Sequence, residues 1–388
     1  MRRRVGVVTG TRAEYGYLRP LLLAIKESSE LELRLYVTGM HLSKEHGYSI
    51  REIENDGFEI TEAPSMGSKA MSDERDLAIS IGTGVIQFAN LFTKECPAIV
   101  VVLGDRTEPF AAAIAAISMN IPVAHIAGGD VGFGDIDHVM RHAITKLSHL
   151  HFTQTENSKQ RVLQLGEEEW RVFNVGALTL DTILNAKIPP QEEIRRKYDM
   201  GKGPFILVSY HPTTTEWKDA RKQIELILKS TAEAARKHSM GVTVIYPNDY
   251  PGGADIIEGI KSYVQDEISV HVFTNLPHLD YIAMMSASSV LVGNSSSGII
   301  EAPSLGLPYV CIGTRQKERE RARNVIDTGY DQSEIEDAIE RAISDMDYLK
   351  EVLARVTPYG DGTASKKIVQ VLRSVEIDKK LLQKKMTY

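Results

Sequence analysis

Carboxylate, imidazole and guanidinium side chains recur in this sequence directly after short aliphatic runs, where an open parallel sheet presents its ligand-binding edge. Leu103-Gly104-Asp105-Arg106-Thr107-Glu108 is one such place. A carboxylate beside a guanidinium suits catalysis: Asp105 can exchange a proton while Arg106 holds an anion. Asp105 as a helix N-cap is the competing reading. The stretch from His125 to His142 is the densest titratable cluster, with four glycines in the seven residues Gly128 to Gly134 and with Asp130, Asp135, Asp137 and His138 among them. Such glycines permit close backbone approach. Asp135-x-Asp137 could hold a divalent metal on a nucleotide, but near a helix start it reads better as a cap, and no metal is expected. His142 and His149 fall in a helical segment, about Val139 to Ser148, and fit packed helix residues.

Three further places suit an anion. Gly10-Thr11-Arg12-Ala13-Glu14 is a glycine turn entering a helix, offering backbone N–H groups and a guanidinium for phosphate, or simply a turn with a surface arginine. No P-loop ending and no GxGxxG is present. Tyr210-His211-Pro212 ends a strand with an imidazole that can donate to a phosphate or act as an acid. Gly293-Asn294-Ser295-Ser296-Ser297-Gly298 leads into a helix with Glu301 about one turn in. Its hydroxyls and N–H groups favour a phosphate site over a plain serine cap, and Glu301 could accept from a ribose diol.

The elements that must position these residues are β-branched runs alternating with helical stretches: Val5–Val8, Leu18–Lys26, Leu33–Val37, Leu77–Phe92, Ile99–Leu103, Pro109–Met119 and Val123–Ile126. Continuous apolar strands imply a parallel sheet covered on both faces. A charged, proline-containing linker from Ala186 to Pro204, with a short helix over Glu192–Tyr198, separates this half from a second α/β pattern: Phe205–Ser209, Ile224–Lys237, Val242–Tyr246, Ile256–Val264, Val270–Phe273, Tyr281–Met285, Val290–Val292, Ile299–Leu305 and Tyr309–Ile312. The reading is two doubly wound Rossmann-like domains whose strand ends face a shared interdomain cleft. The length of 388 residues suits two such domains. A formal net charge of -7 gives no global field to hold a nucleic acid or an anionic bilayer, so an anionic ligand must be held locally. No apolar run is long enough for a membrane span or a signal peptide. Cys96 and Cys311 lie far apart without metal spacing, so the cytoplasm is the expected compartment. The lysine-rich stretch Glu376 to Tyr388 reads as a solvated terminal helix.

Taken jointly, the motifs resemble those of the UDP-N-acetylglucosamine 2-epimerases, specifically the hydrolysing branch that opens sialic-acid and related nonulosonate pathways. The resemblance spans nearly the whole chain. It rests on Gly10-Thr11-Arg12-Ala13-Glu14, Thr38-Gly39-Met40-His41, Gly104-Asp105-Arg106, His125-Ile126-x-Gly128-Gly129 and Asp137-x-x-x-Arg141-His142 through His149. It continues in Ser209-x-His211-Pro212, Gly293 to Gly298 with Glu301, and Gly313-Thr314-Arg315-Gln316. It implies a glycosyltransferase-B type fold: an N-terminal domain over 1–186 with the sugar and catalytic carboxylates, a nucleotide-binding domain over 187–365, and a helical segment over 366–388 packing back on the first. It also implies loss of UDP to a 2-acetamidoglucal, then addition of water with inversion at C2, without a cofactor.

Carried over by motif, Asp105 and Asp137 are the acid/base pair, with Asp130 and His211 beside them as further catalytic candidates. Arg12, His211, Ser295, Ser296 and Arg315 would bind the diphosphate, Glu301 the ribose, and His41 and His125 would line the sugar pocket. Arg106, Asn248, Ser297 and Gly298 complete the substrate-binding set. Two departures stand out. Ala127 replaces a glutamate of many hydrolysing members, in a loop about one residue longer, so either Asp130 or Asp137 substitutes or the sugar differs, as with diacetylbacillosamine. Lys317-Glu318-Arg319 and Ala322-Arg323-Asn324 stand where the family usually has glycines. The expected substrate is UDP-N-acetylglucosamine, the alternative UDP- or GDP-linked diacetylbacillosamine, and the assembly a homodimer or homotetramer. A glycosyltransferase and a non-catalytic nucleotide-sugar sensor are the rival functions.

Overall fold

The aliphatic run Ile99–Leu103 forms a strand with every residue buried. Successive strand side chains point to opposite faces. Accordingly Ile99, Val101 and Leu103 join a cluster with Leu18, Leu21 and Ile25 of the helix Arg12–Glu27, while Val100 and Val102 join another with Phe88, Phe92, Ala112 and Ala116. Burial on both faces is what the unbroken apolar run requires. The computed structural model describes residues 2–43, 47–66, 74–132, 136–213, 215–248, 250–266 and 270–388.

The first sheet contains β1 (Arg3–Thr9), β2 (Leu31–Val37), β3 (Ile60–Glu62), β4 (Ile99–Leu103), β5 (Val123–Ile126), β6 (Leu150–Thr153) and β7 (Val172–Asn174), in the order β3-β2-β1-β4-β5-β6-β7. Every pairing is parallel. The second contains β8 (Phe205–Ser209), β9 (Gly241–Ile245), β10 (Val270–Phe273), β11 (Val290–Gly293), β12 (Tyr309–Ile312) and β13 (Val325–Thr328), again all parallel, in the order β10-β9-β8-β11-β12-β13. Each sheet therefore reverses its strand order once, between β1 and β4 and between β8 and β11. Loops after those strands are where open α/β sheets bind ligands.

Contacts divide the chain into two compact units. One comprises the chain up to Val131 with Ile136–Asn185 and Tyr359–Tyr388; the other includes Ala186–Pro358. The return is fixed by Ala177 N–H donating to the Tyr359 carbonyl at 2.7 Å. The helix Ala364–Ser374 then packs into the first core through Ile368 and Leu372, and the Asp181 carboxylate accepts from the N–H groups of Ala364 and Ser365 at 2.9 and 2.7 Å.

Three local expectations change. The helix expected over Ile299–Leu305 is two single turns, Ser297–Ile300 and Ala302–Leu305, with Glu301 between them and Pro303 early in the second. His149 lies beyond the helix Ile136–Leu147, and its Nδ1 accepts the Val123 N–H at 3.1 Å. The lysine-rich tail is not a solvated helix: only Lys379–Leu382 is helical, and Leu381 is buried in the first core. Among the described residues no helix is long and apolar enough to cross a membrane.

Candidate active site

At the first switch point, Gly104 turns with φ +73° and Asp105 follows. The next helix, Thr107–Ser118, has Arg106 as its N-cap and no side-chain cap. Asp105 is thus not the cap. Its carboxylate pairs with Arg141 of the helix Ile136–Leu147, and Arg141 Nη1 also donates to the Asp130 carbonyl at 3.1 Å. Asp137 is the second residue of that helix, one turn before Arg141 on the same face. The structure so brings Asp105, Asp130 and Arg141 together. The Asp130 carboxylate itself is buried and accepts from Ser158 Oγ at 2.6 Å. Asp135 lies outside the described residues.

The glycine turn after β1 packs around two carboxylates. Gly10 N–H donates to Glu14 Oε2 at 2.6 Å, and a Cβ at Gly10 would sit 2.6 Å from Glu108 Cδ. At Gly39, φ +59°, a Cβ would lie 2.3 Å from Glu108 Oε1. These glycines make room for a buried carboxylate. Burial, and then the neighbouring Glu108, push the Glu14 carboxyl up to about 8, so it keeps its proton at neutral pH. Arg106 Nε lies 3.5 Å from Glu108 Oε2, and Arg12 Nε lies 2.8 Å from Glu52 Oε2. Sequence reading missed the Glu14–Glu108 pair and the role of Arg141. Threonine three residues before Glu14 marks a helix start, which gives no hint of a partner 94 positions away at Glu108.

His41 and His125 are held inside the first unit. His41 is fully buried with Nε2 at 3.1 Å from Thr9 Oγ1 and Nδ1 at 2.8 Å from Ser49 Oγ. His125, also fully buried, sets Nε2 at 2.7 Å from the Gly104 carbonyl and Nδ1 at 3.1 Å from Thr145 Oγ1. Both nitrogens of each ring are engaged within the fold, and burial lowers both rings to about 3, so they are neutral struts. His142 packs edge-on against His138, with centroids 4.5 Å apart. Ala127 holds φ +65°, a left-handed conformation that side-chain-bearing residues rarely adopt.

At the second switch point, donors dominate. The Asn294 side chain ties the two loops, accepting from His211 N–H at 2.7 Å and donating to the His211 carbonyl at 2.8 Å. His211 Nδ1 accepts the Asn248 N–H at 3.1 Å, which leaves the ring proton on Nε2. Burial, and then the Arg315 charge, lower this imidazole to about 3, so it is a neutral donor and not a charged acid. Arg315 Nη1 and Gln316 Nε2 both donate to the Asn294 carbonyl, at 3.1 and 2.9 Å. In the serine turn, Ser297 N–H goes to Ser295 Oγ and Gly298 N–H to the Ser295 carbonyl. The N–H groups of Ser295 and Ser296 have no protein partner among the described residues. Thr213 Oγ1, Asn248 Oδ1 and Gln316 Oε1 are likewise buried without one. Gly298 packs tightly: a Cβ there would lie 2.4 Å from the Tyr309 ring. Glu301 is fully buried, its Oε1 3.4 Å from His278 Nε2. With the helix broken at Glu301, little macrodipole builds up behind the serines.

A family model described as UDP-N-acetylglucosamine 2-epimerase matches residues 23–373. The chain belongs to this family. The UDP-N,N'-diacetylbacillosamine 2-epimerase (hydrolyzing) of Legionella pneumophila is 37% identical over 389 residues, covering 100% of both chains. The polysialic acid biosynthesis protein P7 of Escherichia coli is 35% identical over 374 residues, 96% of this chain and 94% of that one. The crystal structure of the Neisseria meningitidis UDP-GlcNAc 2-epimerase bound to UDP-GlcNAc matches in fold, with TM-score 0.83 and 23% identity over 95% of this chain and 99% of that one. A nucleotide-sugar 2-epimerase must break and remake a C–H bond at C2, which calls for titratable groups. Titratable groups of the first unit include Asp105, at its switch point, and Asp130, whose carbonyl Arg141 joins to the Asp105 carboxylate.

Proposed function

We propose that this chain is a hydrolysing nucleotide-sugar 2-epimerase whose substrate is a UDP-linked 2-acetamido sugar, UDP-N,N'-diacetylbacillosamine foremost. The observation that carries the reading is the unequal chemistry of the two switch points, carboxylates on the first unit and neutral or cationic donors on the second. Partnerless buried oxygens at Thr213, Asn248 and Gln316, with the Ser295 and Ser296 N–H groups, support nucleotide binding by the second unit. There Arg315 and the Nε2–H of His211 are assigned to the diphosphate and Glu301 to the ribose, with Asn248 orienting His211 through its backbone.

The C2 proton is not acidic, so departure of UDP has to be driven by donors aimed at the charge that develops on its phosphate. Asp105 and Asp137 are assigned the protons. One carboxylate takes the C2 proton as the C1–O bond to UDP breaks, giving the glucal. A proton then returns to C2 from the opposite face while water, losing its own proton to a carboxylate, adds hydroxide at C1. UDP and the C2-inverted free sugar leave.

The full-length Legionella relative and the small Ala127 side chain support the diacetylated sugar. UDP-N-acetylglucosamine is the second reading, favoured by the family to which the chain belongs. A panel of UDP- and GDP-linked amino sugars, scored by nucleotide release and by configuration at C2, tests both. Fastest inverting release from UDP-N,N'-diacetylbacillosamine is expected. Faster release from UDP-N-acetylglucosamine moves the assignment to the second reading, and tight binding without release from any sugar overturns both in favour of a sensor.

A further inference from the structure

The lysine-rich tail is joined to the first unit by two reciprocal clasps of cation onto carbonyl. Arg171, fully buried, donates from Nη1 to the Leu381 carbonyl at 2.7 Å and from Nη2 to the Lys380 carbonyl at 2.8 Å. In the other direction Lys384 Nζ donates to the carbonyls of Lys146 and Ser148 at 2.8 and 2.6 Å, and lies 2.8 Å from Glu167 Oε2. The Glu167 carboxylate is buried and also accepts from Lys146 Nζ at 2.6 Å and His151 Nε2 at 3.0 Å. Burial alone would raise this carboxyl; His151, Lys146 and Lys384 outweigh it and hold it at about 2.

Lys146 is the penultimate residue of the helix Ile136–Leu147, which carries Asp137 in its first turn and Arg141, the partner of Asp105, in its middle. The last carbonyls of a helix have no partner within it. Here Ser148 Oγ donates to the Ile144 carbonyl at 2.7 Å, Ser148 N–H to the Thr145 carbonyl at 3.1 Å, and Lys384 to the Lys146 carbonyl. A cation at that end also matches the helix dipole. One side chain 238 positions away thus closes the helix terminus and compensates a buried anion.

We propose that Lys384 is a positioning residue for the reaction: by capping the helix Ile136–Leu147 from the tail, it holds Asp137, and through Arg141 also Asp105, in register for proton transfer. This deepens the proposed function and rests on its assignment of those two aspartates.

The test compares full-length Lys384→Met, Lys384→Arg and Lys379→Met, the last removing an exposed charge from the same tail. Steady-state kinetics and hydrogen exchange are read well below each protein's melting temperature. Lys384→Met is expected to lose roughly 10–100-fold in kcat with KM nearly unchanged, the signature of misplaced catalytic groups. Its exchange should rise along Ile136–Leu147 and stay unchanged in β4 and β5. Lys384→Arg should recover most of the turnover, and Lys379→Met should match the wild type. Wild-type kcat in Lys384→Met, or exchange rising equally in β4 and β5, overturns the proposal. Asp137→Asn, assayed alongside, addresses the underlying assignment separately: full turnover there removes Asp137 from the chemistry, while the exchange result still decides whether the tail fixes the helix.

Discussion

The two sheets reverse their strand order in the same way, yet the loops that follow differ in kind. After β1 and β4 come acids: Glu14, Asp105 and Glu108, with Arg106 and Arg141 as their counter-charges. After β8 and β11 come a neutral imidazole, an amide, three serines and, after β12, Arg315. Even the glycines serve different neighbours, Gly10 and Gly39 a carboxylate and Gly298 a tyrosine ring. A shared topology fixes where ligands can bind, and the residues at the strand ends decide what each place can do.

Replacing one member of each set breaks this contrast most sharply. Asp105→Asn should fold as the wild type and bind UDP equally well, yet lose at least ~10²-fold in turnover, the scale of a positioned acid/base. Loss of UDP affinity in step with turnover, measured by calorimetry beside the kinetics, would erase the division of labour. Arg315→Met should do the reverse, weakening UDP by roughly 10-fold, as expected for a lost charge-assisted hydrogen bond, with kcat at saturation little changed.

Two smaller effects sharpen the first unit's side of the comparison. Gly39→Ala places a side chain at φ +59° against Glu108. The conformational strain alone should remove about 1–2 kcal/mol in urea unfolding. Glu14 keeps its proton in the folded chain to about 8 but has an ordinary value of 4.5. Between those values the unfolded chain binds fewer protons, so this group's contribution to stability falls as pH rises. The melting temperature of the wild type should therefore decline relative to Glu14→Gln from about pH 5 to about pH 8, and parallel curves would show that Glu14 is already ionised.

Much of the fold was legible in the sequence. Ile99–Leu103, Val123–Ile126, Phe205–Ser209, Val270–Phe273 and Tyr309–Ile312 are strands over those same residues, all but Val270–Phe273 buried along their whole length. β3 and β7 escaped notice because they are three-residue edge strands, and β6 because His151 and Thr153 interrupt its apolar pattern. At the strand ends, sequence marked the turns but not their contents. A glycine announces that something comes close, not whether it is a phosphate, Glu108 or Tyr309. His41 and His125 have the chemistry of ligand contacts, and only tertiary packing reveals that both nitrogens of each are engaged. The tail lysines looked solvated because Glu167 and the end of the helix Ile136–Leu147 are remote in sequence.

The central claim is that the first unit's carboxylates exchange the C2 proton with solvent. Turnover of UDP-N,N'-diacetylbacillosamine in heavy water, followed by NMR of the released sugar, tests it directly. One deuterium at C2 of the inverted product is the predicted result. A product that keeps the original hydrogen at C2 would contradict it.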